Sequence, residues 1–397
     1  MGWFYFMESV MLLTVVFSNH CNLDCSYCCI GNKNTSPNLT VDKAIEFLLD
    51  NIKDDEENIV EFYGGEPLLH YEQIKSTIKE IRHAKPNVNI TTRMYTNGLF
   101  FYHDDTYIES YKDVTDYIDE ILISLDGPSW EHNKARFSDF HQMAIILSCI
   151  NGLTNYIDDL GLENRVIIST VLSSDRQYSN LLENTVEFVH QNNVRHFSIE
   201  PLTIFGDITP VIISKKHFKE FVEGIFNILW YLCIKKSVTE KDYSLFVAKE
   251  LISTSWYNVG CGNSCSDVAR AISPRGKIYM CRDYAANEEK IFHSEKVIQF
   301  KNVNKLSIDY DNFKSIKELE NRHTPCIVKD LQYEAGEVVD QLYWLRDDYQ
   351  EFIIKPMHDA IVSFNNITNE NCLDFRDKLQ DYRNKLPDIF KMLGLDE

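Results

Sequence analysis

The chain has 397 residues, 44% of them hydrophobic, and 60 acidic against 40 basic side chains leave a net charge of −20. That length allows two domains with a sizeable core, the apolar content excludes a disordered chain, and the negative field speaks against a nucleic-acid partner. The 11 cysteines, in a chain far longer than a disulfide scaffold, read as metal ligands in a reducing compartment.

In chain order, Met1–Phe17 is apolar but lacks the basic start and small-residue cleavage site of a signal peptide. No run reaches transmembrane length without a polar break, so we expect a cytoplasmic protein with no membrane partner. Met11–Phe17 reads as a buried strand. Thr40 is placed to cap a helix carrying Ala44, Ile45, Phe47, Leu48 and Leu49. Strands are predicted at Ile59–Tyr63, Asn89–Tyr95, Ile121–Leu125, Arg165–Leu172 and His196–Glu200, and helices near Ile74–Ile81, Met143–Tyr156 and Leu181–His190. Repeated strand–helix units imply a parallel sheet, closed as a partial (β/α)6 TIM-like barrel with its active residues at the C-terminal strand ends. From Val211 to about Lys249 the pattern turns helical, with Phe218, Phe221, Ile225, Ile228 and Leu229 on one face. After about Leu331 it reads as aromatic-rich helices carrying Tyr343, Trp344, Leu345, Tyr349, Phe352, Ile353 and Ile354, a core-like stripe.

The chemistry concentrates at Cys21-Asn22-Leu23-Asp24-Cys25-Ser26-Tyr27-Cys28, with cysteines spaced by three and then two residues. This loop suits an iron–sulfur cube that leaves one iron open. The alternative is a zinc knuckle with Cys29 as a further ligand. The spacing, with Tyr27 before the last cysteine, resembles the radical S-adenosylmethionine (SAM) superfamily. The resemblance implies a SAM-binding 4Fe–4S cluster on Cys21, Cys25 and Cys28, with Tyr27 near the adenine. It further implies that one electron cleaves SAM to methionine and a 5′-deoxyadenosyl radical, which abstracts a substrate hydrogen.

Other motifs follow the same resemblance. Gly64-Gly65-Glu66-Pro67 is similar to the family's GGEP motif, where glycines permit close backbone approach to the methionine amino group. Tyr95-Thr96-Asn97-Gly98 resembles another strand end, with Asn97 otherwise a turn cap. Ser124-Leu125-Asp126-Gly127 and His132–Phe137 resemble the fourth-strand region, in which Ser124 or Asp126 contacts ribose or carboxylate and Arg136 pairs with the methionine carboxylate.

Cys261, Cys265 and the segment Ile272–Cys281 resemble the start of a SPASM/Twitch extension, with Gly276 in a hairpin turn. With Cys326 this implies one auxiliary 4Fe–4S cluster on Cys261, Cys265, Cys281 and Cys326; structural zinc or buried free thiols are the alternative. Lys329 stands where a Cys-x-x-Cys partner would be, and Cys372 is a candidate substitute for any one ligand. Cys149 and Cys233 fall in apolar helices and are expected in the core. Glu200, Asp207 and Asp283 are equivalent candidates for a base, while His196 and His323 are expected to be structural; no catalytic residue is singled out.

The expected organisation is residues 1–235 as the barrel, 236–330 as a small α+β auxiliary-cluster domain, and 331–397 as a C-terminal helical segment. The expected partner is a peptide or protein undergoing modification, with flavodoxin or ferredoxin as electron donor. Without a spare N-terminal segment of about 80 residues a fused leader-binding domain is not expected, so leader recognition would fall to a separate leader-binding protein or to the C-terminal tail. A small-molecule dehydrogenase is the second reading, and an iron–sulfur electron carrier the third.

Overall fold

The computed structural model describes residues 10–28, 30, 33, 37–99, 107–172, 175–201, 215–247, 269–279, 282–286, 349–368 and 371–395. These residues form an α/β architecture around one sheet. Its strands are β1 (Val10–Val16), β2 (Glu57–Tyr63), β3 (Ile90–Thr96), β4 (Glu120–Ser124), β5 (Arg165–Leu172), β6 (His196–Pro201), β7 (Ser244–Val247), β8 (Ala269–Ile272) and β9 (Ile278–Tyr279). The order is β7-β6-β5-β4-β3-β2-β1-β8-β9, parallel throughout except for the antiparallel β8–β9 hairpin.

The intervening helices are α1 (Val41–Asn51), α2 (Tyr71–Ala84), α3 (Tyr107–Tyr117), the short α4 (Trp130–Asn133), α5 (Phe140–Leu160), the short α6 (Asp175–Ser179), α7 (Leu181–Asn192) and α8 (Lys215–Thr239). Thr40 caps α1 as expected, its hydroxyl accepting from the Lys43 amide at 3.4 Å. Alternation along the strands sends one set of side chains outward against the helices, including Leu13, Val15, Val60, Phe62 and Met94, all buried.

The other set points into the barrel and stacks in layers. One layer is a charge ladder in strand register, Thr14–Glu61–Arg93–Glu120–Arg165. Thr14 donates to Glu61 at 3.1 Å, Arg93 lies 3.8 Å from Glu61 and 3.0 Å from Glu120, and Arg165 lies 3.8 Å from Glu120. Toward the C-terminal ends the next layer carries Tyr63 and Tyr95, whose rings meet edge to face at 5.5 Å.

Two sequence expectations change. Ser244–Val247, expected as helix, is the strand β7 paired with β6. Four residues show no resolvable periodicity, and the pairing is decided by tertiary contacts such as His196 Nδ1 to Ser244 Oγ at 2.9 Å. Cys372, considered as a spare cluster ligand, is buried in the core. It opens α11 (Cys372–Leu393), and its carbonyl accepts from the Cys233 thiol at 3.1 Å. α11 and α10 (Lys355–Asn366), the latter entered through a π-helical turn at Gln350–Ile354, pack on α8. Tyr349, Ile353, Ile354, Phe364 and Phe390 are buried there. Arg383 also reaches across to Asn227 at 2.6 Å. Among the described residues no helix is long and apolar enough to cross a membrane.

Candidate active site

The polypeptide leaves β1 at Val16 and crosses the C-terminal ends of the strands before it reaches the three cysteines. Phe17 anchors this crossing, buried against the Phe62 and His70 rings at 6.4 and 6.5 Å. Cys21, Cys25 and Cys28 are half-buried free thiols. The Cys28 amide donates to the Cys25 carbonyl at 3.1 Å, and the Leu23 amide approaches Cys21 Sγ at 3.4 Å. Burial pushes the Cys21 thiol up to about 11 and raises Cys25, while Lys33 and, at Cys25, Arg136 pull the other way. Metal binding must therefore displace protons from these thiols, aided by the nearby cations. Among the described residues no three ligands converge on one ion. A cubane does not require that, because its cysteines bind different irons. Three unbridged thiols on one loop, beside Lys33 and Arg136, are a donor set that fits such a cluster.

The Gly64–Pro67 turn is sewn to the same loop. The Gly65 amide donates to the Ser18 carbonyl at 3.1 Å and the Glu66 amide to the His20 carbonyl at 2.7 Å. A Cβ on Gly64, whose φ is +128°, would lie 2.5 Å from Ser18 O, and one on Gly65 2.0 Å from His20 O. The close approach that needs these glycines is thus made by the protein's own loop backbone. The buried Glu66 carboxylate turns inward and accepts from the Leu68 amide, the Thr96 hydroxyl and the Asn97 amide at 3.0, 2.7 and 2.7 Å. Burial raises its carboxyl to about 7 against the pull of these donors. Pro67 opens the short 3₁₀ turn that follows. Asn97 caps a turn by accepting from the Leu99 amide at 2.9 Å, and its amide also donates to Asn22 of the cysteine loop at 2.7 Å.

A second clamp comes from β4. Asp126 is fully buried; it accepts from Arg136 at 3.0 Å and from the Tyr27 hydroxyl, and Tyr27 in turn accepts from Arg136 at 2.6 Å. The Arg136 guanidinium also lies 5.5 Å from the Tyr27 ring centroid. Burial works against the Arg136 charge, and Asp126 and Tyr27 more than offset it. Arg136 Nε is buried and makes no hydrogen bond. The backbone adds Ser26 N to Ala135 O at 2.9 Å. Ser124 ends β4 beside Ser169 on β5.

The structure therefore brings Tyr27, Gly64, Gly65, Glu66, Pro67, Asn97, Ser124, Asp126 and Arg136 to the same strand ends as Cys21, Cys25 and Cys28. Glu200 lies at the end of β6, whereas His196 lies at the opposite end, buried against Ser244. Cys29, Cys261, Cys265, Cys281, Cys326, Lys329, Asp207 and His323 lie outside the described residues, as does the Asp283 side chain. Sequence reasoning passed over Asn133 and Gln177. Asn133 holds the Asp126 amide at 2.9 Å and the Gly127 carbonyl at 2.6 Å, and Gln177 holds the Asp126 carbonyl at 2.8 Å. Neither carries a periodic or spacing signal; only the folded loop shows them.

Residues 15–151 match the family profile of the Radical SAM superfamily. Over 310 residues, 73% of this chain and 78% of the relative, the sequence is 22% identical to a cysteine-type anaerobic sulfatase-maturating enzyme of Clostridium novyi (strain NT). A stretch of 123 residues is 31% identical to an uncharacterized protein of Methanocaldococcus jannaschii, covering 30% of this chain and 40% of that protein. Among solved structures, anSMEcpe with bound AdoMet and Cp18Cys peptide aligns at TM-score 0.54 and 14% identity, over 97% of this chain and 99% of that one. SuiB of Streptococcus suis bound to precursor peptide SuiA aligns at TM-score 0.51 and 14% identity, over 80% and 69%. At that identity the structural likeness establishes a shared fold.

Proposed function

We propose, from the Radical SAM domain that the chain carries at residues 15–151, that this enzyme draws a hydrogen from a peptide or protein substrate and so modifies it after translation. The observation that carries the reading is the double fastening of the cysteine loop at the C-terminal strand ends, by Gly65 and Glu66 on one side and by Asp126 and Arg136 on the other. Cys21, Cys25 and Cys28 would hold the SAM-binding 4Fe–4S cluster. When bound, this cluster supplies one electron to SAM and so provides the 5′-deoxyadenosyl radical of the family's chemistry. Tyr27, Asp126 and Arg136 hold the loop in register with β4, and Glu66 and Asn97 hold it to β2 and β3. Arg136 Nε is buried without a hydrogen-bond partner, and we read the guanidinium as the group that would pair with the methionine carboxylate of SAM.

The sulfatase-maturating relative and the two peptide-bound structures support a peptide substrate. We assign one auxiliary 4Fe–4S cluster to Cys261, Cys265, Cys281 and Cys326, and the reducing electron to a flavodoxin or ferredoxin.

Replacing Cys21, Cys25 and Cys28 together by Ala tests the assignment. Anaerobically reconstituted protein should lose about four irons per chain and all 5′-deoxyadenosine formation. Continued SAM cleavage in the triple variant would remove the proposal.

A further inference from the structure

Arg282 opens the short helix α9 (Arg282–Ala286) and directly follows Cys281. Its guanidinium reaches into the mouth of the barrel, 4.9 Å from the Tyr63 ring centroid and 5.0 Å from that of Tyr95. It donates to the Tyr95 hydroxyl at 3.0 Å and lies 3.5 Å from the Glu61 carboxylate, which is only 1% exposed. Both rings belong to residues at the ends of strands that carry the site: Tyr63 precedes Gly64, and Tyr95 precedes Thr96 and Asn97. The far end of α9 is also tied down. The Ala286 carbonyl accepts from Asn19 Nδ2 at 2.8 Å, two residues before Cys21. Ala285 and Ala286 are fully buried between these attachments.

We propose that Arg282 is a positioning residue that latches α9 into the barrel mouth, so that α9, the Gly64–Gly65 turn and the approach to Cys21 hold one geometry. Only a planar, permanently charged group can lie against two rings, donate to a hydroxyl and face a carboxylate at once; a lysine ammonium would keep the charge without the fit. The latch rests on the contacts above. Its consequence for iron content rests on the reading of Cys281, the preceding residue in the sequence, as an auxiliary-cluster ligand.

The test uses the full, anaerobically reconstituted chain with R282Q, R282K and Y95F. Amide hydrogen exchange within 282–286 should rise at least tenfold in R282Q and less in R282K and Y95F, while exchange in β5 stays unchanged. In R282Q iron should fall by about half, and the SAM-induced change in the spectrum of the reduced first cluster should persist. Unaltered exchange at 282–286 in R282Q, an equal rise in β5, or undiminished iron in a wild type holding about eight overturns the latch. A wild type with about four irons removes the auxiliary-cluster reading instead, and exchange alone then judges Arg282.

Discussion

Gly65 shows how sharply single positions are specified here. An added methyl would sit 2.0 Å from the His20 carbonyl oxygen, and that oxygen is main chain held by the Glu66 amide, so neither side can give way. We expect G65A to destabilise the protein by about 1–3 kcal/mol in thermal or urea unfolding and to abolish the SAM-induced spectral change. G161A is the control: Gly161 has φ +62° and nothing within 4 Å of a new Cβ, so it should cost only about 1 kcal/mol from backbone strain and leave the site intact. Arg136 belongs to the same scale. Its charge is committed to Asp126 and Tyr27 through NH2, so its contribution to loop geometry is separate from whatever Nε contacts.

Between elements, the ladder Glu61–Arg93–Glu120–Arg165 sets alternating charges side by side on four adjacent strands. A one-residue slip of any strand would turn its charge out of the lumen and bring an apolar side chain in, so the ladder penalises wrong register. Buried ion pairs are weak evidence for stability, because desolvation offsets much of the attraction. Removing one partner is a different matter. E120A should destabilise by about 1–3 kcal/mol in urea unfolding, because Arg93 loses its nearer carboxylate at 3.0 Å and keeps only Glu61 at 3.8 Å. The paired replacement R93M/E120L should recover most of that loss, since no buried charge is then left alone between those strands.

At the scale of the whole molecule, chain segments far apart in sequence share one sheet. The hairpin β8–β9 extends the edge beside β1, and α8 runs past residue 235 to Thr239, where the following turn leads into β7. α10 and α11 cover the outer face of α8, with Phe390 buried beneath Lys219 and Tyr382 against Phe226 at 4.7 Å. These helices should therefore unfold with the sheet. F390A is expected to cost about 3–5 kcal/mol and to lower the midpoint of a single transition by calorimetry, rather than to split off a separate early one.

Local pattern alone determined the six strands from Val10 to Pro201 and the helices α1, α2, α5 and α7 between them, though not α3, together with the cap at Thr40, the hairpin turn at Gly276 and the clustering of motifs at strand ends, because each is written in short-range periodicity or in one demanding residue. The cysteine spacing likewise marked its loop without any fold. The contacts Tyr27–Asp126, Tyr27–Arg136, Glu66–Thr96 and Arg282–Glu61 were decided only in three dimensions, since each joins residues separated by at least 30 positions and carries no local signature. The same holds for β7 and for the burial of Cys372. A four-residue strand and a lone thiol take their state from what packs against them, and that is known only once the sheet has assembled.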